Sequence, residues 1–266
     1  MCIAYLALAT DPKWPLFIAA NRDEQHSRPT RPAGPWPTQP AIYGGLDLKA
    51  GGTWFAIHQN GRFALLTNHR DLHHPLPSAP RSRGFLCKDF VENHLSPLAY
   101  LSDLQSESTH YAGFNLIVGQ WQAQQSQWEC YYFSNQLNQA PQRLQPGHYV
   151  LSNHFLNTPW PKSQRLAQNL SHYIQTNSPT DSSAIFQILK DGTLAPEHLL
   201  PQTGLSLEQE LLLSSPFIVS PEYGTRSSSS WAVDVNGHSI LHECSYNSEG
   251  LETERHSWPL KIGSTL

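Results

Sequence analysis

The chain has 266 residues, of which 39% are hydrophobic and 14% are charged, and its formal net charge is -4. A chain of this length and apolar content can bury a core, which excludes an intrinsically disordered protein. It contains no run of Lys or Arg and no apolar stretch of bilayer length, so we expect neither a nucleic-acid partner nor an integral membrane segment. The N-terminal apolar run lacks a basic region and ends before Asp11, unlike a signal peptide, and we expect a soluble, cytoplasmic protein.

The first part of the chain consists mostly of strand patterns. "CIAYLALAT" and "LFIAANRD" flank the turn sequence "DPKWP", which predicts an N-terminal hairpin with Cys2 on its first strand and Asp23 at the end of its second. The proline-rich "RPTRPAGPWPTQP" predicts an irregular surface loop. "TWFAIH" and "RFALLTN" flank Asn60-Gly61, a strong hairpin signal. From about Gly84 to Leu104, apolar residues recur at helical spacing.

The rest of the chain alternates between strand and helix patterns. "GFNLIVGQ", "WECYYFS" and "GHYVLSN" predict strands, and "PWPKSQRLAQNLSHYIQ" and "SSAIFQILKD" predict helices. "PFIVS", "TRSSSSWAVDVNG" and "HSILHECSY" predict closing strands, with a turn at Asn236-Gly237. Because the helices are segregated from antiparallel strands, we predict an α+β fold in one domain over residues 1–266.

Cys2 has an unusual position among the four cysteines. Cys87, Cys130 and Cys244 are interpreted as free thiols in small buried positions. Removal of Met1 would make Cys2 the N-terminal residue, with an α-amine whose pKa is typically roughly 7.7 to 8. A thiol and an amine on one residue can act as nucleophile and general base. The alternative is an ordinary buried residue on an apolar strand.

Polar residues at the end of the second strand are candidates for partners of Cys2. In an extended strand, Asn21 and Asp23 face one side, and Arg22 and Glu24 face the other. Asp23 can orient the Cys2 amine, and we predict that Asn21 and Arg22 contact the substrate.

Other candidate site residues lie at strand ends and in a serine-rich strand. Asn68 ends "RFALLTN" and Asn153 ends "YVLSN", which suits oxyanion donors, although Asn is also a common turn residue at such positions. Arg226 in "YGTRSSSS" can lower the pKa of a nearby thiol or hold an anionic group, the alternative being an ion pair at a sheet edge. Trp54 and His69 are predicted substrate contacts.

The histidines and glycines do not form a recognisable metal or phosphate motif. His69, His73 and His74 lie in "NHRDLHHPLPSAP", a proline-broken loop, so we predict no metal site. The sequence leaves open a haem group bound through a single His or Cys ligand, and we predict no other cofactor. The glycine-rich "GGLDLKAGGTW" lacks a nucleotide-binding pattern and is interpreted as a turn, from which Lys49 could meet an anionic ligand.

Several of these stretches together resemble one known family. They are "MCI", "AANRDE", "SRPT", "AGGTW", "GFNLIV", "LSNHFLNTPWPK" and "YGTRSSS", which run in order from residue 1 to beyond residue 226. The chain resembles the NRDE family, also called the transport and Golgi organisation protein 2 family. That family is similar to the N-terminal nucleophile (Ntn) hydrolases, especially the choloylglycine hydrolase and penicillin acylase branch. The resemblance implies a four-layer αββα sandwich with antiparallel sheets.

The resemblance also implies roles for individual residues. Cys2 matches the nucleophile, Asp23 the aspartate that contacts its amine, Asn68 and Asn153 the amides on the oxyanion side, and Arg226 the active-site arginine near the C-terminal end. The hydrolase branch has an arginine three residues before its aspartate, where this chain has Ala20. Strand alternation turns the nearby Arg22 to the face opposite Asp23.

Two functions are therefore predicted. The first is an N-terminal cysteine hydrolase acting on an amide or thioester of a hydrophobic acyl group. The second, favoured by Ala20 and by the family's links to haem handling and to lipid or acyl-CoA metabolism, is a non-catalytic protein that binds or transports haem or acyl-CoA.

Overall fold

The computed structural model describes residues 2–73 and 80–263. Within them the strands, numbered in chain order, form two antiparallel sheets. The first sheet contains, in spatial order, β10 (Gly147–Leu151), β1 (Cys2–Leu8), β2 (Leu16–Gln25), β11 (Tyr223–Val233), β12 (His238–Tyr246) and β13 (Glu252–Lys261). The second contains β3 (Thr30–Pro35), β4 (Ile42–Asp47), β5 (Phe55–His58), β6 (Arg62–Asn68), β7 (Phe114–Gln122), β8 (Gln127–Ser134) and β9 (Gln142–Arg143). The helices are α1 (Gly84–Glu92), α2 (Pro97–Glu107), α3 (Pro161–Thr176), α4 (Ser182–Leu189) and α5 (Leu207–Leu212).

Three apolar layers hold these elements together. The inner faces of the two sheets pack on one another through a cluster that includes Leu6, Ile18 and Phe63. Tyr5 on the outer face of the first sheet packs against α3 and α4. Helices α1 and α2 cover the outer face of the second sheet, where Phe90 is buried. The fold is therefore a four-layer αββα sandwich, which confirms the predicted fold class.

Strands β1 and β2 are apolar on both faces because both faces are covered. Every residue of β1 is buried, with its even-numbered side chains towards the second sheet and its odd-numbered ones towards the helices. The predicted N-terminal hairpin is confirmed, and the turns at Gly61 and Gly237 have positive φ angles of 93° and 78°, which glycine adopts without strain.

Local predictions failed where proline or tertiary packing decided the structure. The proline-rich segment predicted to be an irregular loop contains β3, an edge strand, where prolines are tolerated. The helical pattern from Gly84 is divided into α1 and α2, because Pro97 begins a new helix capped by Ser96. The "PFIVS" segment is not a strand, and Ile218 instead pairs locally with Thr225.

No helix in the described ranges is both long and apolar enough to span a membrane.

Candidate active site

A cavity of about 410 Å³ opens at the start of β1 and at the ends of β2 and β6. Cys2, Arg22, Asp23, Trp54 and Asn68 line it, so the structure brings five of the nine predicted site residues together. A larger cavity, of about 670 Å³, is lined by residues such as His198 and Leu207 and by no predicted site residue. The smaller cavity is therefore the candidate site.

Cys2 faces the space between the two sheets, on the same side of β1 as Ala4 and Leu6. Only 9% of its surface is exposed. Burial raises the pKa of the Cys2 thiol, and the charge of Asp23 adds to this effect, whereas the charge of Arg22 lowers it. The thiol is thus protonated at neutral pH, and its use as a nucleophile requires a base beside it. Met1, whose removal would supply that base, lies outside the described residues.

Asp23 is a buried carboxyl at the end of β2. The Thr225 hydroxyl donates a hydrogen bond to its Oδ1 at 2.7 Å. Burial raises the pKa of Asp23 to about 6, and the charges of Lys162 and Arg22 act against that rise. Asp23 is therefore ionised at neutral pH but loses its charge in mildly acidic solution.

Lys162 lies behind Asp23 and was missed by the sequence reasoning. It is the second residue of α3, is 3% exposed, and donates from Nζ to the Leu213 carbonyl at 2.8 Å. Burial lowers the pKa of Lys162 to about 8, with Arg70 adding to the effect and Asp23 opposing it. Its signal in the sequence was weak, because a lysine in the first turn of a helix is normally exposed.

Asn68 and Asn153 lie together, but only Asn68 lines the cavity. The Asn153 amide is fully buried and donates to the Asn68 carbonyl at 3.2 Å. Within the described residues, the Asn68 amide makes no hydrogen bond to the protein, which leaves its N–H groups available for a ligand. The prediction that both amides face the substrate is thus corrected, because Asn153 lies outside the cavity and fixes the end of β6 through its hydrogen bond to Asn68.

Arg226 does not line the cavity, contrary to prediction. The register between β2 and β11 shifts between Thr225 and Ser227, so Arg226 is the extra residue of a β-bulge. A bulge changes the direction of the side chain. Arg226 Nη1 donates to the carbonyls of Gln25 and His26 at 3.0 Å, and it therefore fastens the loop after β2.

Asn21 is also displaced from its predicted role. Its Nδ2 donates to the carbonyls of Leu189 and Pro216, and its Oδ1 accepts from the Ser228 hydroxyl. The fully buried amide anchors β2 to the helix layer and does not reach the cavity.

His69 is a third predicted contact that lies elsewhere. Its ring packs against His154 and Phe155, with centroid distances of 5.0 and 4.8 Å. Of the histidines in that loop, His74 lies outside the described residues. Over 2–73 and 80–263, no three His, Cys, Asp or Glu side chains are grouped in a way that could hold a metal ion.

Arg22 and Trp54 form one wall of the cavity. The Arg22 Cζ lies 4.1 Å from the centroid of the Trp54 ring, and Nη1 donates to the Thr30 hydroxyl at 3.1 Å. Arg22 and Asn21 lie on opposite faces of β2, as alternation predicts. The face that carries Arg22 is also the face of Cys2, which is the direct cross-strand partner of Arg22. The inference that alternation turns Arg22 away from the site is therefore wrong, because Ala20 and Arg22 share the face of Cys2.

The sequence reasoning also missed charged and aromatic residues around the opening. They are Arg28, Asp47, Arg83 and Tyr223. Arg28 donates to Asp47 Oδ2 from Nε at 3.0 Å and from Nη2 at 2.6 Å, and this pair joins β4 to the loop after β2. Burial raises the pKa of Tyr223 well above its ordinary value, so its phenol stays neutral. Arg28 and Tyr223 do lie in the family stretches "SRPT" and "YGTRSSS", but no local pattern predicts that these four residues meet, because segments distant in sequence bring them together.

Comparison with known proteins agrees with the motifs. The profile described as Transport and Golgi organisation 2 matches residues 1–248. The Transport and Golgi organization protein 2 homolog of Bos taurus is 33% identical over 257 residues, covering 91% of this chain and 92% of that protein. The Homo sapiens homolog is 32% identical over 278 residues, covering 98% of this chain and all of that protein.

Two solved structures resemble the chain more distantly. The Caenorhabditis elegans N-acylethanolamine-hydrolyzing acid amidase ortholog has a TM-score of 0.47 and 10% identity over 86% of this chain and 92% of that chain. The C2A mutant of the conjugated bile acid hydrolase from Clostridium perfringens has a TM-score of 0.43 and 9% identity over 97% of this chain and 92% of that chain. On the match to the family profile and the identity to its full-length relatives, the chain belongs to the Transport and Golgi organisation 2 family.

Proposed function

We propose that the protein is a cysteine hydrolase that cleaves an amide or thioester of an acyl group, with Cys2 as nucleophile after removal of Met1. The observation that carries the proposal is the position of the Cys2 thiol on the cavity, beside the buried Asp23 carboxylate and the available Asn68 amide. These are the parts that an acyl transfer needs: a nucleophile, a group that orients its base, and a donor for the oxyanion.

The first half of the reaction forms an acyl-enzyme. The α-amine of Cys2 takes the thiol proton, and the sulfur attacks the carbonyl carbon of the substrate. Asn68 donates a hydrogen bond to the oxygen, which carries negative charge in the tetrahedral intermediate. The intermediate then expels the amine or thiol leaving group, which takes the proton from the Cys2 ammonium.

The second half of the reaction uses water. The free α-amine accepts a proton from a water molecule, which attacks the thioester carbonyl. The carboxylic acid leaves, and the sulfur regains its proton. In both halves, Asp23 holds the amine in place, and its negative charge stabilises the ammonium form.

The arginines of the cavity favour an anionic ligand, and they would serve a non-catalytic binding protein as well as a hydrolase. Arg22, Arg28 and Arg83 all line the cavity, and Ala20 replaces the arginine of the hydrolase branch. A protein that binds acyl-CoA without cleaving it would use the same cations. Acyl-CoA carries phosphates and haem carries carboxylates, so both ligands of the non-catalytic alternative suit these cations and both belong to the test.

The test is mass spectrometry of the purified protein mixed with acyl amides and acyl thioesters. We expect an acyl adduct on the Cys2 peptide that disappears in Cys2→Ala. Cys130→Ala is the matched control, because Cys130 is a fully buried thiol of the core and should leave the adduct unchanged. Binding of acyl-CoA or haem without adduct or turnover would replace the hydrolase by the non-catalytic alternative.

A further inference from the structure

Three arginines surround the cavity, and two of them have carboxylate partners. Arg28 is paired with Asp47 at 2.6 Å. Arg22 lies 3.8 Å from Glu24, is hydrogen-bonded to Thr30, and is stacked on Trp54. Their charges are therefore largely neutralised within the protein.

Arg83 differs from both. It precedes α1, and Nη1 donates to the Gly113 carbonyl at 2.9 Å. Among the residues that the structure describes, this is the only hydrogen bond of the Arg83 side chain, and the guanidinium forms no ion pair. Burial lowers the pKa of Arg83, and the nearby Cys2 and Glu24 partly offset that effect.

A half-buried guanidinium without a carboxylate partner is stabilised when an anion meets it. Arginine keeps its charge at every physiological pH, so it cannot escape the desolvation cost by losing a proton. One hydrogen bond uses one of its five N–H donors. The remaining donors form a planar fork that matches a carboxylate or a phosphate.

We propose that Arg83 recognises the substrate, binding a carboxylate or phosphate group that the substrate carries close to the bond attacked by Cys2. The proposal rests on the proposed function in that Cys2 and Arg83 must act on one molecule. It narrows the substrate from acyl amides and thioesters in general to those with a small oxyanion near the scissile bond. It also assigns to Arg83 the anion-binding role predicted for Arg226, which the bulge directs elsewhere.

The test compares two alkylating reagents of nearly equal shape, anionic iodoacetate and neutral iodoacetamide. Each forms an S–C bond with the Cys2 thiolate and expels iodide, so neither requires hydrolytic activity. The ratio of the two rates at Cys2, divided by the same ratio for glutathione, measures the preference for an anion. We expect a normalised ratio of about 10 in the wild type, because one hydrogen bond to a charged group has about that effect.

Variants assign the preference to Arg83. Arg83→Gln should lower the ratio about 10-fold, and Arg83→Lys should retain an intermediate value. Arg81→Gln is the matched control, because it removes a nearby charge that is 55% exposed and paired with Glu107, and it should leave the ratio unchanged. A wild-type ratio near 1, an unchanged ratio in Arg83→Gln, or no alkylation of Cys2 by either reagent would overturn the proposal.

Protection of the wild-type protein gives a second test that needs no variant. Butyrate or inorganic phosphate should slow the alkylation of Cys2 by iodoacetamide, and neutral butyramide should not. Protection by only one anion identifies the oxyanion, and protection by neither contradicts the proposal. If no acyl-enzyme forms but the anion preference holds, the proposed hydrolase fails while the Arg83 site stands.

Discussion

The layer between the sheets has two regions that are built by the same strands and differ in chemistry. In the middle, Leu6 and Ile18 meet Phe63 in an apolar cluster. At the end of the same hairpin, on the same face, Cys2 and Arg22 line an open cavity. The alternation along β1 and β2 is unbroken from one region to the other. The difference arises because the hairpin terminates there beside a cavity rather than in a closed core, so that Trp54 stacks on Arg22 and Leu66 only lines the open space.

The comparison predicts that substitutions at the end of the hairpin reduce activity and that substitutions in the middle reduce stability. Cys2→Ala should reduce turnover on the order of 10³-fold or more, since the nucleophile is lost. The measurement is the rate of acyl-group release, together with the free energy of unfolding in urea. Because Cys2 lies at the edge of the core, its unfolding free energy should change by about 1 kcal/mol or less. Full activity of the variant would remove Cys2 from the mechanism.

The middle region should respond in the opposite way. Phe63 is fully buried and packs edge-on against Trp231 at a centroid distance of 5.6 Å. Phe63→Ala should lower the free energy of unfolding by about 3 to 5 kcal/mol, because it leaves a cavity in the core. Phe85→Ala is the control. Because Phe85 is 38% exposed, its replacement should lower the free energy of unfolding far less. Equal losses in the two variants would contradict the assignment of the core.

Asn68 tests whether the cavity stabilises an oxyanion. Asn68→Ala should reduce kcat about 10²- to 10³-fold and change KM little, because the hydrogen bond strengthens only in the transition state. Asn153→Ala should also reduce kcat, but it should in addition lower stability, because Asn153 is fully buried behind Asn68. An increase in KM with an unchanged kcat for Asn68→Ala would show that the amide binds the substrate in the ground state.

The sequence predicted the fold better than the site for identifiable reasons. Short apolar strand patterns and the turn sequences between them, "DPKWP" and two Asn-Gly pairs, are local signals, and they predicted the β1–β2, β5–β6 and β11–β12 hairpins correctly. Cys2 and Asp23 were found because both lie on one hairpin. Arg226 was misplaced because a bulge is not visible in strand alternation. Arg83 was missed because it reaches the cavity from the start of α1, through packing between distant segments.

The smallest expected effect is a shift in pH dependence. Burial raises the pKa of Asp23 to about 6, and protonation removes the charge that holds the Cys2 ammonium, so activity should rise with pH through about 6. Lys162 opposes that rise in pKa. Lys162→Met should therefore raise the pKa of Asp23 and move the acid limb of the kcat/KM profile to higher pH, whereas Lys162→Arg should leave it nearer the wild type. A limb that stays in place in Lys162→Met would show that Lys162 does not act on Asp23.

The central claim is that the end of the β1–β2 hairpin becomes a catalyst when Cys2 is the first residue. The most direct measurement is peptide mass spectrometry of protein with Met1 removed and of protein with Met1 retained, each mixed with the same acyl thioesters and amides. We expect an acyl adduct on Cys2 that forms rapidly only when the α-amine is free. Equal adduct formation in the two forms, or none in the form that lacks Met1, would show that the free amine of Cys2 does not drive the reaction.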